Sequence, residues 1–453
     1  MGLLFCLVLS LLLLRTSPLR DVPHSSCSTK LEEDHHHFNS SGLHLTLHHP
    51  RSPCSPASLH HLPFSTVLSH DDSRAQFLAA RLTKTGAPRP KSALIDPDSA
   101  TIPLSSGMSV GVGNYITRIG LGTPSTSYVM VVDTGSSLTW LQCSPCRVSC
   151  HEQVGSVFKP SSSATYRSVS CSEPECDGLQ SATLNPSACT TSNVCIYQAS
   201  YGDSSFSVGY LAKDTLALGD AGRILPNLVF GCGQDNEGLF GKSAGLIGLA
   251  RNRLSLLSQL APKLGNAFSY CLPTTASTGY VTIGSYPSAQ YVYTPLVSSS
   301  LDGSLYFVRL TGITVRGKGL AVAQSAYTSM PTIVDSGTVI TRLPSDVYSA
   351  LSKAVVAALS GHARAPAYSI LDTCYRGSAK GLGVPEVDMV FQGGAALRLP
   401  ARNVMIDVDS STTCLAFAPT DRVVIIGNRQ QQTFRVAYDV ARSRIGFAAG
   451  GCG

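Results

Sequence analysis

One pattern occurs twice in this 453-residue chain, and no other feature restricts its fold as strongly. Val131-Val132-Asp133-Thr134-Gly135-Ser136-Ser137 and Ile333-Val334-Asp335-Ser336-Gly337-Thr338-Val339 each carry an apolar run, an aspartate, a hydroxyl residue and a glycine. Each is followed later by two apolar residues and a glycine, Leu246-Ile247-Gly248 and Ile425-Ile426-Gly427. A lone Asp-Thr-Gly is a common turn. Two copies in matched apolar surroundings describe a duplicated unit: a buried strand, a tight loop bearing a carboxylate, further strands, then an apolar pair and glycine.

The chemistry follows from bringing the two loops together. Glycine at 135 and 337 lets a second backbone approach closely. The hydroxyls of Ser136 and Thr338 are each expected to bond the outer oxygen of their own aspartate. Two such loops meeting at a pseudo-twofold axis set Asp133 and Asp335 side by side. Like charges about 3 Å apart cannot both ionise, so the pair holds one proton. The charged member can activate a water and the protonated member can donate to a carbonyl, which is hydrolysis without a metal or a covalent intermediate. The plainer alternative is two turn aspartates that merely cap their loops.

The rest of the chain agrees with a β-rich body. Charged residues are 14% of the sequence and hydrophobic ones 43%, which excludes a disordered solvating chain. Forty Gly and 26 Pro favour short strands and many turns over long helical bundles. Strands are expected at 115–120, 128–133, 195–201, 280–284, 306–315 and 423–426, and helices at 255–264 and 345–359. The net charge of +6 is scattered, with no basic block, so nucleic acid is not an expected partner.

Residues 3–14 form an apolar run too short to span a bilayer but suited to a signal-peptide core, so 1–20 is assigned as a leader. Residues 21–105 differ from all that follows. They hold ten of the twelve His and the sequon at Asn39. Asp71-Asp72-Ser73-Arg74 followed by 75–82 reads as a capped amphipathic helix, and 86–91 as a linker. This is the composition of a pro-segment, and its histidines are expected to gain charge as pH falls from 7 to 5. The body then divides into 106–295 and 296–453. Twelve of the 15 Cys lie between 143 and 452, an even number that suits six disulfides and an oxidising compartment, although spacing alone leaves their pairing open. A zinc site at Cys143, Cys146 and Cys150-His151 is the rival reading.

The motifs around the two aspartates resemble those of pepsin-like aspartic proteases of plants, the nepenthesin-like group, and most of all the subgroup named for chloroplast-nucleoid DNA binding. The resemblance runs through Gly122-Thr-Pro124, Asp133–Cys146, 201–209, 231–240, 244–249, 269–273, 335–344, 425–432 and the tail to Cys452. It implies an all-β, bilobal fold with an active-site cleft between the lobes, and an endopeptidase acting on protein or peptide substrates. Asp133 and Asp335 match the catalytic pair, supported by Thr134, Gly135, Ser136, Ser336, Gly337 and Thr338. Tyr201, with Gly202 and Asp203, matches the flap hairpin that closes over substrate. Trp140 matches a tryptophan beside the flap whose N–H can bond a tyrosine hydroxyl.

The resemblance further implies no cofactor or metal, a monomer held latent by its own pro-segment, and delivery by the secretory pathway to wall or vacuole, with the chloroplast as the alternative. It implies pairs Cys143–Cys146, Cys150–Cys232, Cys171–Cys195, Cys176–Cys189, Cys271–Cys452 and Cys374–Cys414, the segment 171–195 being a stapled insert. Ala250 departs from the pattern, where glycine is usual. Two other functions compete on the same fold: a non-catalytic inhibitor or binding protein, which would be expected to have lost its second aspartate motif, and a DNA-binding protein, which would need a basic tract.

Overall fold

The computed structural model describes residues 43–57, 63–82, 114–201, 205–218, 223–238 and 240–452. The leader, Asn39, His35–His37, His60, His61, the linker at 86–91 and the flap residues Gly202 and Asp203 lie outside the described residues.

Each aspartate motif sits where an apolar strand runs out. In the first lobe β2 (Ile116–Leu121) and β3 (Thr126–Asp133) form an antiparallel hairpin. The last six residues of β3 are all buried. This is the expected result for a strand covered on both faces, and it carries Asp133 to the lobe's edge. Three further strands complete the surroundings: β4 (Trp140–Gln142), β7 (Arg223–Glu237) and β8 (Gly245–Gly248). β8 runs parallel to β3, pairing Gly248 with Asp133, and β4 runs parallel to β7. Between them, β5 (Cys195–Ser200) and β6 (Phe206–Leu218) form an antiparallel hairpin, with Tyr201 just beyond the end of β5.

The second lobe repeats the plan. Here β11 (Thr332–Val334) is parallel to β14 (Val424–Ile426), and β12 (Thr341–Pro344) is parallel to β13 (Phe417–Thr420). The duplicated apolar-Gly pairs serve the same purpose in both halves. A Cβ at Gly427 would lie 2.7 Å from the Val339 carbonyl oxygen, and one at Gly248 would lie 2.9 Å from that of Ser136. Only glycine lets those strands pass so close to the aspartate loops.

A strand from the segment before residue 106 joins the sheet that links the lobes. β1 (Leu43–His48) alternates Leu, His, Leu, Thr, Leu, His, with Leu43, Leu45 and Leu47 buried. It pairs over its whole length with β10 (Thr278–Ile283) and meets β2 at His48↔Ile116. β10 pairs in turn with β9 (Ala267–Cys271), and β9 with the C-terminal pair β15 (Arg435–Asp439) and β16 (Arg444–Ala448). The histidine tract therefore contains an unexpected strand, whose period-two leucines were the signal for it.

Two helices fall where expected: α3 (Leu256–Leu264), with Ser255 accepting at its N-cap from Ser258 N at 3.2 Å, and α4 (Ser345–Ala358). The expected strand at 306–315 is divided into 307–308 and 310–315. α1 departs most from expectation. It runs Phe64–Arg81 and so starts well before Asp71. Its buried face is Phe64, Val67, Leu68, Asp71, Ala75, Leu78 and Ala79, an i, i+3/i+4 stripe that passes through Asp71. The aspartate read as a cap therefore lies inside the helix.

The twelve body cysteines form six disulfides, but four pairs differ from those the resemblance implied. The structure joins Cys143–Cys232, Cys146–Cys150, Cys171–Cys189 and Cys176–Cys195, and keeps Cys271–Cys452 and Cys374–Cys414. The β4–β7 register explains the first change. Leu141 pairs with Cys232, and Cys143 N donates to Gly233 O at 2.8 Å, which brings Cys143 within 5.3 Å of Cys232 between Cα atoms. Cys146 and Cys150 are then left to close their own loop. In the insert, the buried Cys176 reaches the buried Cys195, and the two more exposed cysteines take each other. All three cysteines of the zinc reading are thus consumed. Peptide mapping without reduction should recover Cys171–Cys189 and Cys176–Cys195 as separate linked pairs. Recovery of Cys171–Cys195 would contradict the structure.

Candidate active site

The two loops meet as the duplication requires. Ser336 N donates to Thr134 Oγ1 at 2.9 Å, and Thr134 N donates to Ser336 Oγ at 3.4 Å, a reciprocal pair across the pseudo-twofold axis. Gly135 N donates to Asp133 Oδ1 at 3.0 Å and Gly337 N to Asp335 Oδ1 at 3.2 Å. A Cβ at Gly135 would lie 2.8 Å from Asp335 Oδ1, and one at Gly337 would lie 2.6 Å from Asp133 Oδ1. The glycines thus let each loop reach the other's carboxylate. Thr338 Oγ1 donates to Asp335 Oδ2 at 2.6 Å, as expected. Ser136 does not match it: its buried hydroxyl has no hydrogen-bond partner among the described residues. Asp133 instead directs its oxygens at a cation.

That cation is Arg74 of α1. Its Nη2 lies 2.6 Å from Asp133 Oδ1 and 3.0 Å from Asp335 Oδ1, and its Nε lies 2.9 Å from Asp335 Oδ2. A single planar guanidinium therefore occupies the space between both carboxylates. Burial pushes the Asp335 carboxyl up, but the Arg74 charge and hydrogen bonds outweigh it and hold the group below the ordinary carboxylate range. Burial pulls Arg74 down, and the two aspartates reverse this and raise it.

The same helix is fastened on either side. Asp71, one turn before Arg74, accepts from the backbone N–H of Val339 and, at 3.2 Å, of Ile340, and pairs with Arg342 at 3.1 Å. Burial raises the Asp71 carboxyl overall, against the pull of Arg342 and those N–H groups. Two turns after Arg74, Arg81 donates to Gly135 O at 2.8 Å and pairs with Asp302 at 2.5 Å. Leu78, Ala79 and Leu82 pack with Leu305, Phe307 and Ile333. From the sequence Asp71 and Arg74 were read only as part of a helix cap, and Arg81, Asp302 and Arg342 were not singled out. The available signal was Asp-x-x-Arg at helical spacing with buried apolar neighbours.

The flap side follows the sequence more closely. Trp140 is fully buried, and its indole N–H donates to Tyr201 Oη at 2.7 Å. Phe240 meets both rings edge-on, at 4.7 Å from Trp140 and 5.7 Å from Tyr201. Beside these residues lies a cleft lined by Asp133, Leu138, Tyr201, Phe240 and Leu246, with α1 along its other side. Such a cleft, with convergent carboxylates and apolar walls, suits an extended peptide. Among the described residues no group of three His, Cys, Asp or Glu could hold a metal ion.

Comparison with known proteins gives the family of the chain. Residues 115–285 match the family described as "Xylanase inhibitor N-terminal", and 305–449 match "Xylanase inhibitor C-terminal". An aspartyl protease family protein of Arabidopsis thaliana is 41% identical over 85% of this chain and 82% of its own length. Aspartyl protease AED1 of the same plant is 39% identical over 85% and 81%. The chain belongs to the plant aspartyl protease family. Aspartic proteinase nepenthesin-2 of Nepenthes gracilis is 34% identical over 78% of this chain and 82% of its own length. Among solved structures, basic 7S globulin from soybean superposes with a TM-score of 0.60 at 22% identity, covering 75% of this chain and 94% of the other, which is a likeness of fold. The aspartic endopeptidase function read from the duplicated motif is that of this family, and the all-β fold is the family's.

The pH dependence of the plugged cleft has a definite sign. Asp335 is depressed while Arg74 is in place, so its contribution to docking is full at neutral pH and is lost as pH falls through the ordinary carboxylate range toward that depressed value. His48 and His49 act in the same direction. Burial, aided by Arg118 in one case and by Arg429 and Arg51 in the other, lowers them to about 4 and about 3. They do not gain charge between pH 7 and 5 while β1 is docked, contrary to the sequence expectation. Once released they titrate near ~6.5, so docking weakens as pH drops below that. Asp71, raised by burial, works the other way and favours docking when protonated. Replacing His48 and His49 with Gln should move the midpoint for release of 43–82, followed by limited proteolysis, to lower pH. An unchanged midpoint would leave the carboxylates as the trigger.

Proposed function

We propose that this chain is the precursor of a secreted, acid-acting aspartic endopeptidase, with a leader at 1–20, a pro-segment at 21–105 and two lobes at 106–295 and 296–453. The observation that carries the reading is the convergence of both carboxylates on one guanidinium at 2.6–3.0 Å. Two buried carboxylates this close need either a shared proton or a cation between them. With Arg74 between them the chain is latent. With Arg74 gone the pair keeps one proton. Its charged member takes a proton from a bound water, which attacks the scissile carbonyl, while its protonated member donates to the carbonyl oxygen. The peptide lies extended in the cleft under the Tyr201 hairpin, its apolar side chains against Leu138, Phe240 and Leu246.

The rival is a two-lobed binding protein without catalysis. Intact Asp133-Thr-Gly and Asp335-Ser-Gly loops, with their reciprocal Thr134–Ser336 bonds, support the enzyme. A DNA-binding role lacks a basic tract to carry it.

The test is hydrolysis of an apolar peptide at pH 3–6 after an added protease has removed the pro-segment, with pepstatin titration. Asp133→Asn and Asp335→Asn should each lower kcat by about 10²–10⁴-fold or more while the circular dichroism spectrum is unchanged. Comparable cleavage by either purified variant would exclude the dyad as the catalyst.

A further inference from the structure

The Cys-rich insert reaches the cleft, a placement that no motif in it signals. After Cys171 the chain forms two short helices, Pro174–Asp177 and α2 (Leu179–Thr183), before returning to β5 and the flap. Ala182, Thr183 and Leu184, at the end of α2, line the same cavity as Asp133, Tyr201 and Phe240. Phe77 of α1 lines it too, so an apolar side chain of the pro-segment shares this space in the latent chain.

Leu184 is an unusual residue for its place. It ends α2 in the left-handed region, with φ 63° and its N–H donating to Gln180 O at 3.0 Å. That position ordinarily belongs to glycine or asparagine. The residue is also 50% exposed, one of three large apolar residues at least half exposed among the described residues. A left-handed leucine left unburied beside a cleft is the kind of feature from which a functional role can be argued.

The lip that carries Leu184 is firmly held. Disulfides Cys171–Cys189 and Cys176–Cys195 close it. Lys213 of β6 binds Glu173 and Glu175 at 2.9 and 2.7 Å. Asn185 Nδ2 donates to Thr183 O at 3.1 Å and to Gln198 O of β5, the strand that leads to Tyr201, at 3.2 Å. Asn252 Nδ2 donates to Ser181 Oγ at 3.2 Å. A wall built on such supports can discriminate, because it does not yield to a misfitting side chain.

We infer that Leu184 is a specificity-determining residue. With the pro-segment gone, the end of α2 forms an apolar wall of a substrate pocket facing the flap, and it selects peptides with a bulky apolar side chain at that position. This rests on the endopeptidase reading above.

The test uses the processed enzyme and a peptide series varied at one position at a time through Leu, Phe, Ala, Ser and Lys. Leu184→Asn accepts the left-handed backbone and removes the apolar wall, and Leu184→Asp adds a charge to it. At one position, Leu184→Asn should lower kcat/KM for Leu and Phe peptides about tenfold, chiefly through KM, with Ala and Ser peptides unchanged. Leu184→Asp should at the same position raise the relative rate on Lys. Folded variants that keep the parent's selectivity at every position would overturn the inference and leave the endopeptidase reading intact. No hydrolysis by the processed parent would overturn both.

Discussion

Two carboxylates buried at the same point cannot both stay charged unless a positive charge lies between them. The rest of the structure is arranged around that constraint. Parallel strand pairs in each lobe carry one aspartate to the interface, glycines let the loops approach, and Thr134 and Ser336 lock the loops to each other. The segment that supplies the cation is held by a strand in the sheet joining the lobes and by a helix along the cleft. Arg74 sits one turn beyond Asp71, which grips the backbone of the loop after Asp335, and two turns before Arg81, which grips the carbonyl of Gly135. The helix therefore binds both aspartate loops, and binds them with charge as well as apolar area.

This division of labour also sets the direction of the expected response to acid. Asp335 is held low by Arg74, and His48 and His49 are held neutral by burial, so protons favour the released segment from slightly acidic pH downward. Asp71 opposes the trend, since its buried carboxyl is easier to keep protonated. Among the described residues, the groups that give this direction are buried in the docked interface.

Much of the core was legible in the sequence, because it depends on local patterns: β3 and β11 as apolar runs ending at Asp133 and Asp335, and the helices α3 and α4; the Tyr201–Trp140 contact was legible only through the family resemblance. Non-local geometry was not legible. Disulfide partners follow from strand register, and Cys143 goes to Cys232 because β4 and β7 are parallel neighbours. Asp71 resembled a cap because Asp-Asp-Ser-Arg opens helices elsewhere, yet its partners are Val339, Ile340 and Arg342, far along the chain. Ser136 lost its expected bond at a site where Arg74 approaches Asp133, a contact across 59 residues that no motif records. Leu184 carries no signal at all until α2 is seen to end in the cleft.

The most direct test of the central claim is the affinity of pepstatin for the uncleaved full chain and for its Arg74→Gln variant, measured near neutral pH by calorimetry on intact protein. If Arg74 plugs the dyad, the native chain should bind the inhibitor weakly or not at all, and the variant should bind at least about tenfold more tightly, the effect of removing a buried charge contact of some 1.4 kcal/mol or more. Equal affinities for the two chains would show that the guanidinium does not close the site.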